Sequence, residues 1–334
     1  MWPQTIERGN RFQLAIEQHR NFVGRPHFVQ LRFTSVCDDV SMGSPDIVSH
    51  SHGGVDLEAP GPARVDDRGS GRVGEPRHVF VGGLHRSGTS MVTRMLASAD
   101  GATGLVGTGF MEDEGHYLHE VVPSVREFGG PGRFAFDDRS HLTAPVTDVD
   151  ETRAQLIAAW RPYWGDVDAG VRVEKSPQNL LQSRFLQAVF PDAAFVMVIR
   201  HPAAVALATR KWTGMGPSGA RRFMPKRTLH TLIEHWIVAH ERFAADRPFL
   251  QNVTVVRFED VVADPSIVSE NLLAHLGLSP RTNGERPPAA LDPTYRHQWR
   301  RWLSSPIGRR ASDTWLAELA PFFAQWGYSI DDDF

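Results

Sequence analysis

From about residue 77 the polar and apolar positions fall into blocks that switch between a strand period and a helix period. Val79, Phe80 and Val81 form a short apolar run closed by Gly82 and Gly83, the pattern of a buried strand, and residues 87–96 then follow a helical spacing. Residues 101–149 are loop-rich, and 151–160 suit a helix. Residues 171–173 predict a short strand running into Glu174-Lys175-Ser176-Pro177, followed by a helix whose Leu181, Phe185 and Val189 recur at i, i+4 and i+8. Residues 194–199 are continuously apolar, as expected of a central parallel strand covered on both faces. That run stops at Arg200-His201-Pro202, and the proline suits the first turn of another helix. Leu232, Trp236, Ala239 and Phe243 mark a further helix stripe, 253–258 a strand, 267–276 a helix stopped by Gly277, 281–288 a loop and 314–326 a terminal helix. Strands alternating with helices predict a three-layer α/β fold, a central parallel sheet flanked by helices.

Residues 1–75 break this rhythm. Residues 13–22 suit a short helix and 28–33 a short strand, but 41–75 are Gly, Ser, Pro, Asp and His with few large apolar side chains. Such a segment buries too little to offset the entropy of ordering it. The expectation is a largely disordered N-terminal extension over 1–75 and one organised domain over 76–334. The whole chain, 334 residues with 41% hydrophobic and 22% charged positions, has the composition of a globular protein with a sizeable core. A net charge of -3 and a pI near 6.6 give no reason to expect a nucleic-acid partner. The single cysteine, Cys37, excludes an intramolecular disulfide and a cysteine-rich metal site, so a reducing, cytoplasmic setting is the simpler expectation. No run of 18 apolar residues and no basic-then-apolar N-terminus is present, so neither a transmembrane anchor nor a signal peptide is expected.

The chemistry concentrates at three predicted strand ends. Gly83-Leu-His-Arg-Ser-Gly88 has P-loop spacing, and a glycine turn feeding a helix N-terminus cradles anions with free backbone N–H groups. The P-loop lysine is missing, because Thr89 follows Gly88 and the nearest cation is Arg86 within the loop. A P-loop NTPase also needs a carboxylate for magnesium at the end of a second apolar strand, and here that strand ends in Arg200. A guanidinium in that place suits a phosphate held without a metal. The competing reading of Arg200 is a surface arginine at a strand end.

Taken together, these segments resemble the sulfotransferases that use 3′-phosphoadenosine 5′-phosphosulfate (PAPS), most closely the bacterial branch akin to tyrosylprotein and carbohydrate sulfotransferases. Gly83–Ser90 is similar to the 5′-phosphosulfate loop, and Val198-Ile-Arg200-His-Pro202 with the following helix to the 3′-phosphate motif. Phe110-Met-Glu-Asp-Glu-Gly115, Val173-Glu-Lys-Ser-Pro177 and Val256-Arg-Phe-Glu-Asp-Val-Val262 extend the resemblance over about residues 78–330. The resemblance implies a P-loop-like α/β fold and sulfuryl transfer to a hydroxylated small-molecule, sugar or lipid acceptor, with PAPS as co-substrate and no metal. It implies that His85, Arg86, Ser87, Gly88, Thr89 and Ser90 bind the 5′ end of the donor and Arg200 the 3′-phosphate. Ala208 stands where the family has a serine, so either Thr209 supplies that contact or the 3′-phosphate lacks it. His85 replaces the loop's leading proline and reads as a loop filler.

Catalytic roles follow from the same resemblance. Arg86 neutralises the leaving 5′-phosphate, and Lys175 meets the bridging or a sulfonate oxygen; the alternative for Lys175 is a surface lysine in a turn. The base is a glutamate after the loop, Glu112 ahead of Glu114, with His116 third, whereas the bland alternative makes Asp113 and Glu114 helix caps. Tyr295–Arg301 is similar to the loop closing over the nucleotide, with Arg296 and Arg300 toward phosphates and Trp299 shielding adenine; a solvated basic turn is the alternative. Residues 213–228 read as a substrate lid. A P-loop small-molecule kinase and a nucleotide-binding module without activity are the competing functions. Acceptor identity and oligomeric state, a homodimer included, stay open.

Overall fold

Strand β1 (Arg77–Gly82) enters a glycine loop and helix α1 (Thr89–Ala97), and the chain crosses to a three-residue strand, β2 (Ala102–Gly104). The structure, a computed structural model, describes residues 75–145, 147–213, 228–280, 293–332 and 334. The expected extension (all but Glu75), most of the 213–228 lid and the 281–288 loop therefore lie outside the described residues. After a run of single 3-10 turns come α2 (Val149–Trp160), β3 (Val171–Lys175), α3 (Asn179–Val189), β4 (Ala194–Ile199) and α4 (Pro202–Thr213). Then follow α5 (Leu229–Asp246), β5 (Val253–Arg257), α6 (Phe258–Ala263), α7 (Pro265–His275), α8 (Thr294–Leu303), α9 (Pro306–Ser312) and α10 (Trp315–Ala324).

The strands form one parallel sheet in the order β2-β3-β1-β4-β5. In β1 the two faces separate by parity. Val79 and Val81 join Val173, Val196, Val198 and Val256 under α1 and α7, while Phe80, with Phe195, Met197 and Ile199, packs under α3 and α5. All six residues of β4 are buried, as a sheet covered on both sides requires, and the edge strand β5 is buried only at alternate positions. This is the three-layer α/β arrangement that the alternating pattern predicts.

Several boundaries differ from expectation for local reasons. The strand β2 is hidden in the loop-rich stretch, because Ala-Thr-Gly is too short and, apart from Thr103, too poor in strand-forming residues to be recognised; among the described residues it pairs with β3 alone, from Ala102 opposite Val171. Helix α2 starts at Val149 because the Asp148 carboxylate accepts from the N–H of Glu151 at 3.0 Å. Phe258 leaves the strand pattern and opens α6. Residues 295–301 are not a loop but the body of α8, whose Trp299 is 2% exposed. The Trp299 indole donates to the Ile330 carbonyl at 2.9 Å and its ring stacks on Trp302 at 4.9 Å, so it serves the core and has no free face for an adenine.

His78 on β1 is buried against Phe190, ring centroids 4.6 Å apart, and burial, aided by Arg172 and Arg153, lowers its pKa from 6.5 to about 4. A depressed folded-state pKa stabilises the fold above pH 6.5, and that stabilisation is lost as the pH falls toward 4. His78→Phe is therefore expected to flatten the stability-versus-pH curve across this window by up to ~1.4 kcal/mol per pH unit, read from denaturant unfolding. Identical slopes in the two proteins would mean that His78 is charged in the fold.

Candidate active site

The sheet order sets the ends of β3, β1 and β4 side by side, and in open α/β sheets ligands bind beyond the carboxyl ends of the strands. The middle end carries the glycine loop. At Gly82 an added Cβ would lie 2.6 Å from Met197 Sδ and 2.8 Å from the Leu180 backbone nitrogen. Gly83 and Gly88 have φ of +144° and +99°, and a side chain on Gly88 would strike the Phe258 ring. The buried Ser87 hydroxyl donates to the Leu84 carbonyl at 2.7 Å and so closes the turn from within. In the first turn of α1 the Met91 and Val92 N–H groups bond to the Gly88 carbonyl, which leaves those of Thr89 and Ser90 without an acceptor in their own helix.

Arg86, at the tip of this loop, is exposed and has a left-handed φ of 74°, a conformation that costs a non-glycine residue about 1 kcal/mol or more. Its carbonyl accepts from Arg200 Nη1 at 3.2 Å. Arg200 lies over the Phe258 ring at 4.4 Å and the Tyr295 ring at 5.8 Å, while its own carbonyl accepts from the Trp236 indole at 3.0 Å. Its Nε is buried without a hydrogen-bond partner among the described residues, as is Nε of Arg296. Burial disfavours the charged form of Arg200, and Glu259 opposes that effect. Thr209 is buried, and with His85 and His235 it lines a cavity of about 10 Å³ beneath the loop. Arg300 is exposed on α8.

On the other side of β1 lies a buried acid–base cluster. Glu112 and Asp113 are consecutive left-handed residues, φ 58° and 50°. Asp113 ties the turn down by accepting from the Thr108 N–H and hydroxyl, each at 2.8 Å, so it caps no helix. The turn leaves Glu112 exposed and sends Glu114 inward, where its Oε1 accepts from Lys175 Nζ at 3.0 Å. Lys175 is 3% exposed and Glu114 7%, so the lysine is no surface turn residue. Burial raises the pKa of Glu114, and the charge and hydrogen bond of Lys175 work against that rise. His116 Nδ1 lies 3.7 Å from Glu114 Oε2, and its pKa falls to about 3, first through burial and then through His85, His119 and Lys175.

Glu174 and Ser176 belong to this cluster, although the sequence pointed only to the lysine between them. Ser176 Oγ donates to Glu174 Oε1 at 2.6 Å and stands 3.2 Å from His116 Nδ1. Phe258 and Tyr295, which sandwich Arg200, were also missed; their only signal was aromatic character next to an arginine-bearing segment. One half of the site is thus a glycine turn at a helix N-terminus with a guanidinium beside it, and the other holds two buried carboxylates and one ammonium. Among the described residues no group of three or more His, Cys, Asp or Glu is arranged to hold a metal.

The sequence profile of the Sulfotransferase family matches residues 76–282. No curated protein matches the chain. Among solved structures the chain is similar to sulfotransferase STF1 from Mycobacterium tuberculosis H37Rv, with 19% identity over 77% of this chain and 75% of that one, at a TM-score of 0.48. It is also similar to a sulfotransferase from Alicyclobacillus acidocaldarius, with 19% identity over 78% and 98% of the two chains at a TM-score of 0.44. For STF9 from Mycobacterium avium the identity is 13%, the shares 75% and 76%, and the TM-score 0.43.

Lys175→Met isolates the buried charge. Removing one partner of a buried pair is expected to cost about 3–5 kcal/mol near neutral pH. The stranded Glu114 then has a folded-state pKa raised further above its unfolded value, so the variant loses stability as the pH rises and recovers part of it near pH 5. Denaturant titrations at pH 5 and 8 test this, and equal stability of variant and wild type at pH 8 would show that the pair is not a constraint on the fold.

Proposed function

Because the chain belongs to the sulfotransferase family, we propose that it transfers the sulfuryl group of PAPS to a hydroxyl of a small-molecule, carbohydrate or lipid acceptor. The observation that carries the donor assignment is Arg200. It ends the strand where a P-loop NTPase would present a magnesium carboxylate, and it is fixed to the loop through the Arg86 carbonyl with its Nε unpartnered. The residues present fit a doubly anionic nucleotide: glycines that allow close approach, first-turn amides, and guanidiniums that grip phosphate oxygens in pairs. Gly88, Thr89, Ser90 and Arg86 take the 5′-phosphosulfate and Arg200 the 3′-phosphate, with Arg296 nearby on α8. Ser87, whose hydroxyl closes the loop, shapes it from within.

In the reaction the acceptor oxygen attacks sulfur in line, the sulfur–oxygen bond to the 5′-phosphate breaks, and the hydroxyl proton goes to a base. We assign that base to Glu114 rather than Glu112, because Glu114 is buried beside Lys175 and Glu112 faces solvent. Lys175 and Arg86 balance the charge that gathers on the leaving side. An anionic donor competes with Glu114 for Lys175. Once the lysine turns to the donor, its opposition to the effect of burial is lost, and the affinity of the Glu114 carboxylate for a proton rises.

Calorimetry in EDTA tests the donor site. Adenosine 3′,5′-bisphosphate is expected to bind without metal, and Arg200→Ala to weaken it by about 1.5–3 kcal/mol, the range for hydrogen bonds to charged groups. Unchanged affinity removes Arg200 from the site, and binding of ATP only with Mg²⁺ would favour a kinase. Glu114→Gln is expected to keep nucleotide affinity and lower turnover about 10²–10⁴-fold. If Glu112→Gln does this instead, the base is Glu112.

A further inference from the structure

The residues that hold Glu114 in place lie one strand position away from Lys175. Glu174 is 1% exposed and forms no ion pair among the described residues, yet its carboxylate accepts three hydrogen bonds from three different residues. Oε1 receives the Gly115 N–H at 3.1 Å and the Ser176 hydroxyl at 2.6 Å, and Oε2 receives the Asn179 amide at 2.7 Å. Asn179 donates in turn to the Val81 carbonyl at 3.1 Å, which joins the arrangement to the strand that feeds the glycine loop. The fit is tight, because a Cβ on Gly115 would lie 2.8 Å from Glu174 Cγ.

We propose that Glu174 is a positioning residue: through Gly115, Ser176 and His116 it clamps the 110–119 loop onto the end of β3 and so seats Glu114 against Lys175. This rests on the reading of Glu114 as the base. The hydrogen-bond inventory gives the clamp a direction. Ser176 Oγ has one proton and two lone pairs. The proton goes to Glu174, and one lone pair accepts the His116 N–H at 3.0 Å. The remaining lone pair faces His116 Nδ1, so the imidazole carries its proton on Nδ1 and Nε2 is bare. Nε2 is indeed buried without a hydrogen-bond partner among the described residues, and His116 borders a cavity of about 10 Å³, room for about one water. The same Nδ1 lies 3.7 Å from Glu114 Oε2, the carboxylate oxygen that does not bond to Lys175. On the far side of the loop Trp160 donates to the Gly115 carbonyl at 3.2 Å, so Gly115 is held at both its N–H and its C=O.

Amide hydrogen exchange and ring nitrogen NMR on the full chain test the clamp without reference to turnover. In Glu174→Gln a single amide oxygen cannot accept from Gly115, Ser176 and Asn179 together, and exchange at Gly115 and His116 is expected to quicken about tenfold or more. Ser176→Ala, which keeps the glutamate and serves if Glu174→Gln does not fold, is expected to quicken His116 but not Gly115. Affinity for adenosine 3′,5′-bisphosphate should change less than threefold in both, while kcat falls about tenfold or more with KM for PAPS unchanged. Wild-type spectra should show His116 protonated at Nδ1. Wild-type exchange rates in both variants, or a proton on Nε2, would overturn the clamp. If the wild type transfers nothing from PAPS, the reading of Glu114 as base falls, while the exchange pattern still decides whether Glu174 clamps the loop.

Discussion

The ion pair between Lys175 and Glu114 is held almost wholly out of water, and a buried pair tolerates little slack in what surrounds it. Taking an ammonium and a carboxylate into the interior costs several kcal/mol each, and their attraction offsets this only at close range with the other polar atoms satisfied. At 3.0 Å the range is met. Satisfying the rest requires the 110–119 loop to lie on β3, which the left-handed turn at Glu112 and Asp113 and the Thr108 anchor make possible. It also requires β3 to sit beside β1, and the parallel register from Arg77 opposite Val171 to Val81 opposite Lys175 provides that.

The other half of the site is governed by crowding instead of charge. The glycine loop is pressed between the Val198 carbonyl, the Leu180 backbone and the Phe258 ring, so three of its positions have no room for a side chain. Phe258 does two things at once: it walls the loop at Gly88 and carries the Arg200 guanidinium on its face. The C-terminal segment braces the same corner, with Tyr328 donating to Glu259 at 2.8 Å and the His201 N–H donating to the same carboxylate at 2.9 Å. Arg200 is thus immobilised by aromatic faces and backbone, and a cation fixed in this way loses little conformational entropy when an anion arrives.

The parallel α/β arrangement, the strand ends and the placement of Arg86, Arg200 and Lys175 beside them were legible in the sequence because they rest on short-range signals. Buried runs such as 194–199 and a glycine turn before a helix carry their meaning locally. The order of Glu112 and Glu114 was not legible. It depends on two residues adopting positive φ, which nothing in Met-Glu-Asp-Glu announces, and on a hydroxyl at Thr108. Trp299 misled for a similar reason: an aromatic among arginines resembles a nucleotide-facing loop, and only its partners Trp302 and Ile330 show that the ring is core. Glu174 was passed over because a buried glutamate on a central strand contradicts the burial habits of its residue type, so its role becomes visible only when its three donors do.

Two carboxylates and one lysine share the end of β3, and the way each carboxylate is solvated separates their roles. Glu174 is stabilised by neutral dipoles on the backbone N–H of Gly115, the Ser176 hydroxyl and the Asn179 amide, all fixed by the fold. Glu114 is paired with one long side chain, with His116 Nδ1 at 3.7 Å and the more remote charge of Arg126 as lesser supports. A lysine has a flexible stem and a point charge that any stronger anion draws away. Displacement of the lysine would therefore break the Glu114 ion pair, whereas Glu174 would lose only a nearby charge and keep its three hydrogen bonds. The carboxylate bound by fixed dipoles is suited to hold the loop, and the one bound by a movable charge is suited to exchange a proton.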